Sequence, residues 1–209
     1  VDNGSVCFGS AYKKWAISVR ILEKYKTTFN DIFKLSLEGN EEKLQEIAPI
    51  DEAVLSMIIE HLPNPKQAQK YRIPHLWHGD INSQIGRDML EANPNGKLVI
   101  AIFGIAYDKH SGEVAIGRVF SGTVRKGNEV YVSGNPNKQR VQQVALYMGQ
   151  DRVVVDEINA GNIAALVGLE NISIGDTVSE EQIEPFEEIT YYSPPVVAKA
   201  IEPKNTTDM

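Results

Sequence analysis

A single cysteine, Cys7, rules out an internal disulfide, and four scattered histidines show no zinc-ligand spacing. A disulfide-stapled secreted fold and a zinc module are thereby excluded. No apolar run approaches the ~18 residues that a membrane-crossing helix requires. The opening Val1-Asp2-Asn3-Gly4 has no basic region leading into an apolar one, so a secretory leader is not expected, and it carries no initiator methionine. A reducing cytoplasm is the expected compartment. Positive charge is scarce as well: 21 Lys and Arg stand against 28 Asp and Glu, for a net charge of −7. That balance argues against a generic nucleic-acid binder. Neither a G-x-x-x-x-G-K-[ST] phosphate loop nor a G-x-G-x-x-G dinucleotide turn occurs.

What is present is unevenly distributed. Residues 1–96 have a net charge of −2 and residues 151–209 of −9, whereas 97–150 hold seven positive and three negative side chains, net +4. The middle block alone could attract a phosphate backbone, although a solvated β-surface would look the same.

The patterning changes near residue 97. Before it the chain reads as mostly helical. Val6, Cys7 and Phe8 predict a short buried strand ending at Gly9. Thr28 and Asp31 have capping-box spacing ahead of Phe29, Ile32, Phe33 and Leu37 at helical intervals. Asp51 is placed to cap a helix whose Val54, Leu55, Ile58, Ile59 and Leu62 share a face, with Pro63 and Pro65 ending it. "KQAQKYRIPHLWHGD" is then expected to be an irregular connection broken by Pro74 and Gly79. From Lys97, short β-rich runs alternate with Gly, Asn and Asp turns, which predicts an all-β barrel or sandwich. Gly117 and Gly122 inside strand texture mark a bulge or a close backbone approach. "SEEQIEPFEEI" reads as an exposed acidic linker, and "PPVVAKAIEPKNTTDM" as the start of a further strand.

No complete active site emerges from motifs alone. "NKQR" (Asn137–Arg140) resembles the N-K-x-D guanine-reading motif, but Arg140 stands where a carboxylate must accept from the base, and a guanidinium only donates. His75 and His78 flank Trp77 without an acidic or cysteine partner at ligand spacing, so a structural or surface role is expected. Asp108 and His110 belong to an ordinary turn, and Cys7 and Trp15 read as packing residues.

A resemblance goes further than the motifs. "HSGEVAIGRVFSGTVRKGNEVYV" and "AGNIAALVGLENISIGDTV" resemble the second, β-barrel domain of translational GTPases. "SPPVVAKAIEPKNTTDM" is similar to the start of the third domain in the elongation factor G and elongation factor 2 group. "YRIPHLWHGDINSQIGRDML" and "DKHSGEVAIGRVFSGTV" resemble the archaeal and eukaryotic branch of that group.

The resemblance implies an α+β multidomain fragment. Residues 1–96 would be the mostly helical end of a P-loop GTPase domain, 97–180 the β-barrel domain II, and 181–209 a linker and first strand of domain III. In that family a strand, a Ser-Ala turn and then a helix close the GTPase domain, and the turn covers the guanine base. Gly9-Ser10-Ala11 match it, so Ser10 and Ala11 are the implied guanine-binding residues: the Ala11 N–H would donate to the base and Ser10 would brace the turn. Arg118, Arg125 and Lys126 are candidate contacts to ribosomal RNA, with Arg118 alternatively a structural ion-pair former. The parent protein would use GTP and Mg to drive ribosomal translocation, with the ribosome as partner and the tRNA–mRNA complex touched indirectly. This chain lacks the phosphate loop and both switches, so it is expected to be inactive and to bind neither cofactor alone. A spliceosomal or ribosome-assembly GTPase and a non-enzymatic RNA-binding barrel are the rival readings.

Overall fold

The computed structural model describes residues 3–108 and 111–187, together with 196, 197, 199 and 200. The expected third-domain strand therefore lies outside the described residues almost entirely. The chain divides into two compact units, Val1–Gln67 and Ala68–Met209.

The first unit opens with a hairpin. Strand β1 (Phe8–Ser10) pairs antiparallel with β2 (Trp15–Ile17), matching Phe8 to Ile17 and Ser10 to Trp15. Four helices follow: α1 (Val19–Lys24), α2 (Phe29–Leu37), α3 (Glu41–Ile47) and α4 (Ile50–His61). Local chemistry sets their starts. The Ser18 hydroxyl accepts from the Ile21 N–H, Asn40 caps α3, and Thr28 and Asp31 form the reciprocal capping box read from the sequence. Asp51, expected as a cap, instead sits in the first turn of α4 behind Pro49, where a carboxylate favours the positive helix end. Ile17, Ile21, Ile32, Leu44 and Ala53 form the small core.

The helical readings hold, but burial does not follow from them. Periodicity identifies a helix's apolar side but not what covers it. Phe29, Phe33 and Leu37 on α2, Leu55, Ile58 and Ile59 on α4 and Leu62 just after it are exposed, while Ile32 and Ala53 reach the core. One expectation does fail: β1 begins at Phe8 and its Phe8 is exposed, so the buried strand predicted over residues 6–8 is shifted and lies open.

Helix α5 (Pro65–Leu76) begins in the last residues of the first unit and continues into the second. It replaces the irregular connection expected there. Its start is a capping box: the Gln67 N–H donates to Asn64 Oδ1 at 2.9 Å and the Asn64 N–H to Gln67 Oε1 at 3.2 Å, with Pro65 at the first helical position. Pro74 falls in the last turn, where it removes one helical bond without breaking the helix. Helix α6 (Gln84–Glu91) is capped by Ser83 and ends on a left-handed Ala92.

The rest of the second unit is β3 (Val99–Asp108), β4 (Gly112–Ser121), β5 (Thr123–Arg125), β6 (Glu129–Val132), β7 (Gln139–Arg140), β8 (Gln143–Met148), β9 (Asp151–Val154), β10 (Glu157–Asn159), β11 (Ile163–Val167) and β12 (Thr177–Ser179). Eight of them form one antiparallel sheet in the order β7-β6-β12-β3-β4-β11-β8-β9, and β5 pairs with β10. Val124 and Ile158 from that pair join Ile100, Ile102, Val119, Val130, Val144, Leu166 and Val178 in a single core, so the curled sheet is the expected barrel.

Its central strands are buried on both faces, hence their continuous apolar runs. Ile100, Ile102 and Val119 point into the barrel, while Val99, Ala101 and Phe120 meet Ile73, Trp77, Met89 and Phe186 outside it. The acidic stretch after β12 is therefore not a free linker as far as residue 187. Phe186 and Ile183 dock on the helices, the Trp77 Nε1–H donates to the Glu184 carbonyl at 2.6 Å, and the Glu187 N–H donates to the Leu76 carbonyl at 3.0 Å. Residues 68–96 thus pack with the barrel, and the compact units do not divide at residue 96.

Both singled-out glycines mark close approaches. A Cβ on Gly117 would lie 2.6 Å from Ile100 Cγ2, and one on Gly122 would lie 2.6 Å from the Leu98 Cα.

Candidate functional sites

Ser10 and Ala11 lie where β1 enters its turn. The turn runs over residues 11–14, with Lys14 in the left-handed region at φ 58°. Ser10 Oγ accepts from the Lys13 N–H at 3.2 Å, and the Ala11 carbonyl accepts from the Lys14 N–H at 3.3 Å. The Ser10 hydroxyl thus braces the turn from inside, and the Ala11 N–H has no acceptor among the described residues. Ala11 is exposed and Tyr12 is 93% exposed, so the tip is open to a ligand. The turn leads into β2 rather than directly into a helix; α1 begins only at Val19. Gly9 is needed for the pairing, because a Cβ there would sit 2.3 Å from the Trp15 carbonyl oxygen.

The three basic candidates fall in different environments. Arg125 is already engaged: its Nε and Nη2 reach the same Glu157 oxygen at 2.8 and 2.6 Å across the β5–β10 pair. Lys126 is exposed beside it in the turn before β6, which is closed by the Asn128 N–H donating to the Arg125 carbonyl at 3.2 Å and by Gly127 at φ 91°.

Arg118, for which contact with RNA and a structural ion pair were both open, lies in a third environment. It is half-buried on β4 opposite Ala101 and Ile163, with no acidic partner among the described residues. Burial, and then the like charge of Arg72, push its guanidinium below its ordinary pKa. The two arginines line one cavity of about 440 Å³ between α5 and the outer face of β3, β4 and β11. Phe103 is 49% exposed on its wall, and Phe120 and Phe186 pack at a centroid distance of 4.8 Å beneath. Gln69 fixes the α5 wall, donating its amide to the carbonyls of Met89 and Phe120. Sequence reasoning missed Arg72, Gln69 and Phe103 because the segment holding the first two was read as a loop.

Asn137 and Lys138 lie in the turn before β7, which holds Gln139 and Arg140. His78 Nε2 lies 3.9 Å from Glu187 and His75 is exposed. Among the described residues, no three His, Cys, Asp or Glu converge as a metal site, and no helix is long and apolar enough to cross a membrane.

Residues 112–179 match the family model described as elongation factor Tu domain 2. Over all 209 residues the chain is 53% identical to elongation factor 2 of Pyrococcus furiosus, and it is 52% identical to elongation factor 2 of Thermococcus onnurineus. It is also 52% identical, over 211 aligned residues, to elongation factor 2 of Methanocaldococcus jannaschii. The chain is thus similar to elongation factor 2 along its whole length. It covers about 29% of the length of each of these relatives while being covered completely itself. The domain 2 match runs from the first residue of β4 to the last of β12 and so falls on the barrel strands. The match with the relatives also includes the hairpin and helices before the barrel, so the elongation factor 2 resemblance extends beyond the barrel motif.

Proposed function

We propose that the chain is a working part of a GTP-dependent translocation factor acting on the ribosome in the cytoplasm. The observation that carries this reading is the unbroken alignment with elongation factor 2, which a generic RNA-binding barrel or an assembly GTPase does not explain as directly. The hairpin turn supplies a guanine contact: Ser10 holds the turn, and the unspent Ala11 N–H is of the right type to donate to a purine carbonyl. Those residues fit the base of GTP but not its phosphates or Mg, so the nucleotide would need the rest of a GTPase domain around this turn. The barrel presents basic residues toward ribosomal RNA, with Lys126 and Arg118 better available than the ion-paired Arg125. The division of 1–96, 97–180 and 181–209 into GTPase-domain end, domain II and start of domain III is part of the same proposal.

A chimera tests it. The matching stretch of Pyrococcus furiosus elongation factor 2 is replaced by these 209 residues, and translocation is assayed on archaeal ribosomes. GTP-dependent translocation is expected to persist; its loss, with folding and ribosome binding intact, overturns the reading. Within the chimera, Ala11→Pro removes the N–H and is expected to weaken GDP binding about tenfold, roughly the 1.4 kcal/mol of one hydrogen bond to a polar ligand group. The 209-residue chain alone is expected to give no micromolar GTP isotherm in calorimetry.

A further inference from the structure

The cavity beside α5 combines paired cations with an exposed aromatic wall. Two guanidiniums, Arg72 and Arg118, line one space, and neither has an acidic partner among the described residues. Placing like charges together costs energy unless an anion lies between or beside them. The backbone of Arg118 is fixed between two strands, opposite Ala101 on one side and Ile163 on the other. Beneath the arginines the lining is apolar and aromatic: Phe103, Ile163 and Leu76 remain 41 to 49% exposed instead of sinking into a core. The cavity's 440 Å³ falls in the range of small-ligand sites, about 300–1,000 Å³. Glu187 also lines the cavity, with His78 Nε2 3.9 Å from its carboxylate, so the lining carries two cations against one acid.

An anion joined to a flat hydrophobic group satisfies both halves of such a site. Guanidiniums bind phosphate bidentately, and exposed aromatic rings stack on unpaired bases. We propose that this cavity receives one unstacked nucleotide of a single-stranded RNA segment, its phosphate between Arg72 and Arg118 and its base on Phe103. The biological setting rests on the ribosome-contact reading above, but the site itself is testable without ribosomes. An acidic peptide with an aromatic side chain would meet the charges, but its carboxylates are spaced along a chain and lack the adjacent phosphate–base geometry.

The test uses the whole 209-residue chain and fluorescein-labelled RNA pentamers, with anisotropy read at low and moderate salt. One pentamer carries all its bases, and a second has the same phosphates with the central position abasic. The base-bearing RNA is expected to bind at least fivefold more tightly. Arg72→Gln and Arg118→Gln should each weaken binding about tenfold and flatten the salt dependence by about one phosphate contact. Phe103→Ala should abolish the preference for the base while keeping the salt slope. Phe103→Tyr, which keeps a stacking ring, should restore the preference. Equal affinity for the two pentamers, or wild-type binding by the Arg72→Gln/Arg118→Gln double variant, overturns the proposal. So does tighter binding of a length-matched Glu/Phe peptide than of RNA, which would make the cavity a protein-docking site. A chimera that fails in translocation while the pentamer results hold would refute the proposed function and leave this site standing.

Discussion

Replacing Gly122 by alanine should destabilise the second unit far more than the same replacement at Gly149, and the difference can be worked from the backbone. Both glycines are left-handed, at φ 77° and 68°. A side chain at either loses the freedom glycine has there, about 1–2 kcal/mol, partly offset by ~0.4–1 kcal/mol from a stiffer unfolded chain. At Gly149 nothing lies within 4 Å of the added Cβ, so the net cost should stay near 1 kcal/mol or below. At Gly122 the Cβ would stand 2.6 Å from the Leu98 Cα, 2.7 Å from the Leu98 N and 2.9 Å from the Lys97 carbonyl carbon. All three are backbone atoms and cannot rotate away.

Gly122 is also tied down at both ends. Its N–H donates to the Asn93 carbonyl at 2.8 Å, and its own carbonyl accepts from Ala160 at 2.9 Å. Overpacking of this kind adds about 1–3 kcal/mol, giving roughly 2–4 kcal/mol in total. The assay is urea unfolding followed by Trp77 emission in a Trp15→Phe background, because Trp77 is buried in the second unit. With a slope of about 2 kcal/mol per molar urea, the midpoint should fall by about 1–2 M for Gly122→Ala and by less than about 0.5 M for Gly149→Ala. Midpoints that move together would show that the crossing over Leu98 yields easily, and the argument would fail.

Two further outcomes are expected. Gln69→Met removes a buried amide that serves the Phe120 carbonyl and adds a second bond to a Met89 carbonyl already served by Ala92, but it also removes an Oε1 that has no partner. The net loss should be only about 1 kcal/mol, while Gln69→Glu should cost several times more by setting a buried charge against two carbonyls; a Met variant less stable than the Glu variant in thermal unfolding would contradict this. Asp31 accepts from the Thr28 hydroxyl and then from the Thr28 N–H, which hold its carboxyl below its ordinary 3.8. A depressed folded-state pKa stabilises above the unfolded value and is lost as pH falls through it, so the stability gap between the parent chain and Asp31→Asn should be full at pH 7 and should shrink below pH 4. A gap that does not change with pH would remove Asp31 as an ionised cap.

The barrel was legible because its strands repeat a simple pattern: apolar runs of strand length, turn residues between them, and glycines at the two crossings. Thr28 and Asp31 were legible because a capping box is a local device. Helix α5 was not, although Asn64-Pro65-Lys66-Gln67 carries a capping box as clear as that of α2: Pro74 is a helix breaker in most positions, but in a last turn it costs little. The helical faces of Phe29, Phe33 and Leu37 could be read as helical but not as exposed, since exposure depends on what lies opposite. The Arg72–Arg118 cavity was out of reach for a similar reason. Its two cations are 46 positions apart in the chain and come together only once α5 lies against β4. The Ser10–Ala11 turn needed the resemblance, because a serine and an alanine after a strand have no chemistry of their own to announce.

The placement of β3 has a practical consequence for anyone dissecting this protein. The stretch shared with elongation factor Tu domain 2 begins at residue 112, yet β3 ends at Asp108 and lies between β12 and β4 in the middle of the sheet. A piece cut at 112 and 179 would split the sheet down its centre and expose the edges of β4 and β12 to pairing with other chains. It would also strip Trp77, Met89 and Phe186 from the outer face of β4, leaving Phe120 uncovered. The unit of descent and the unit of folding are therefore different lengths of chain, and a piece that keeps the sheet and its outer cover together must reach back at least to α5 and forward at least to Glu187.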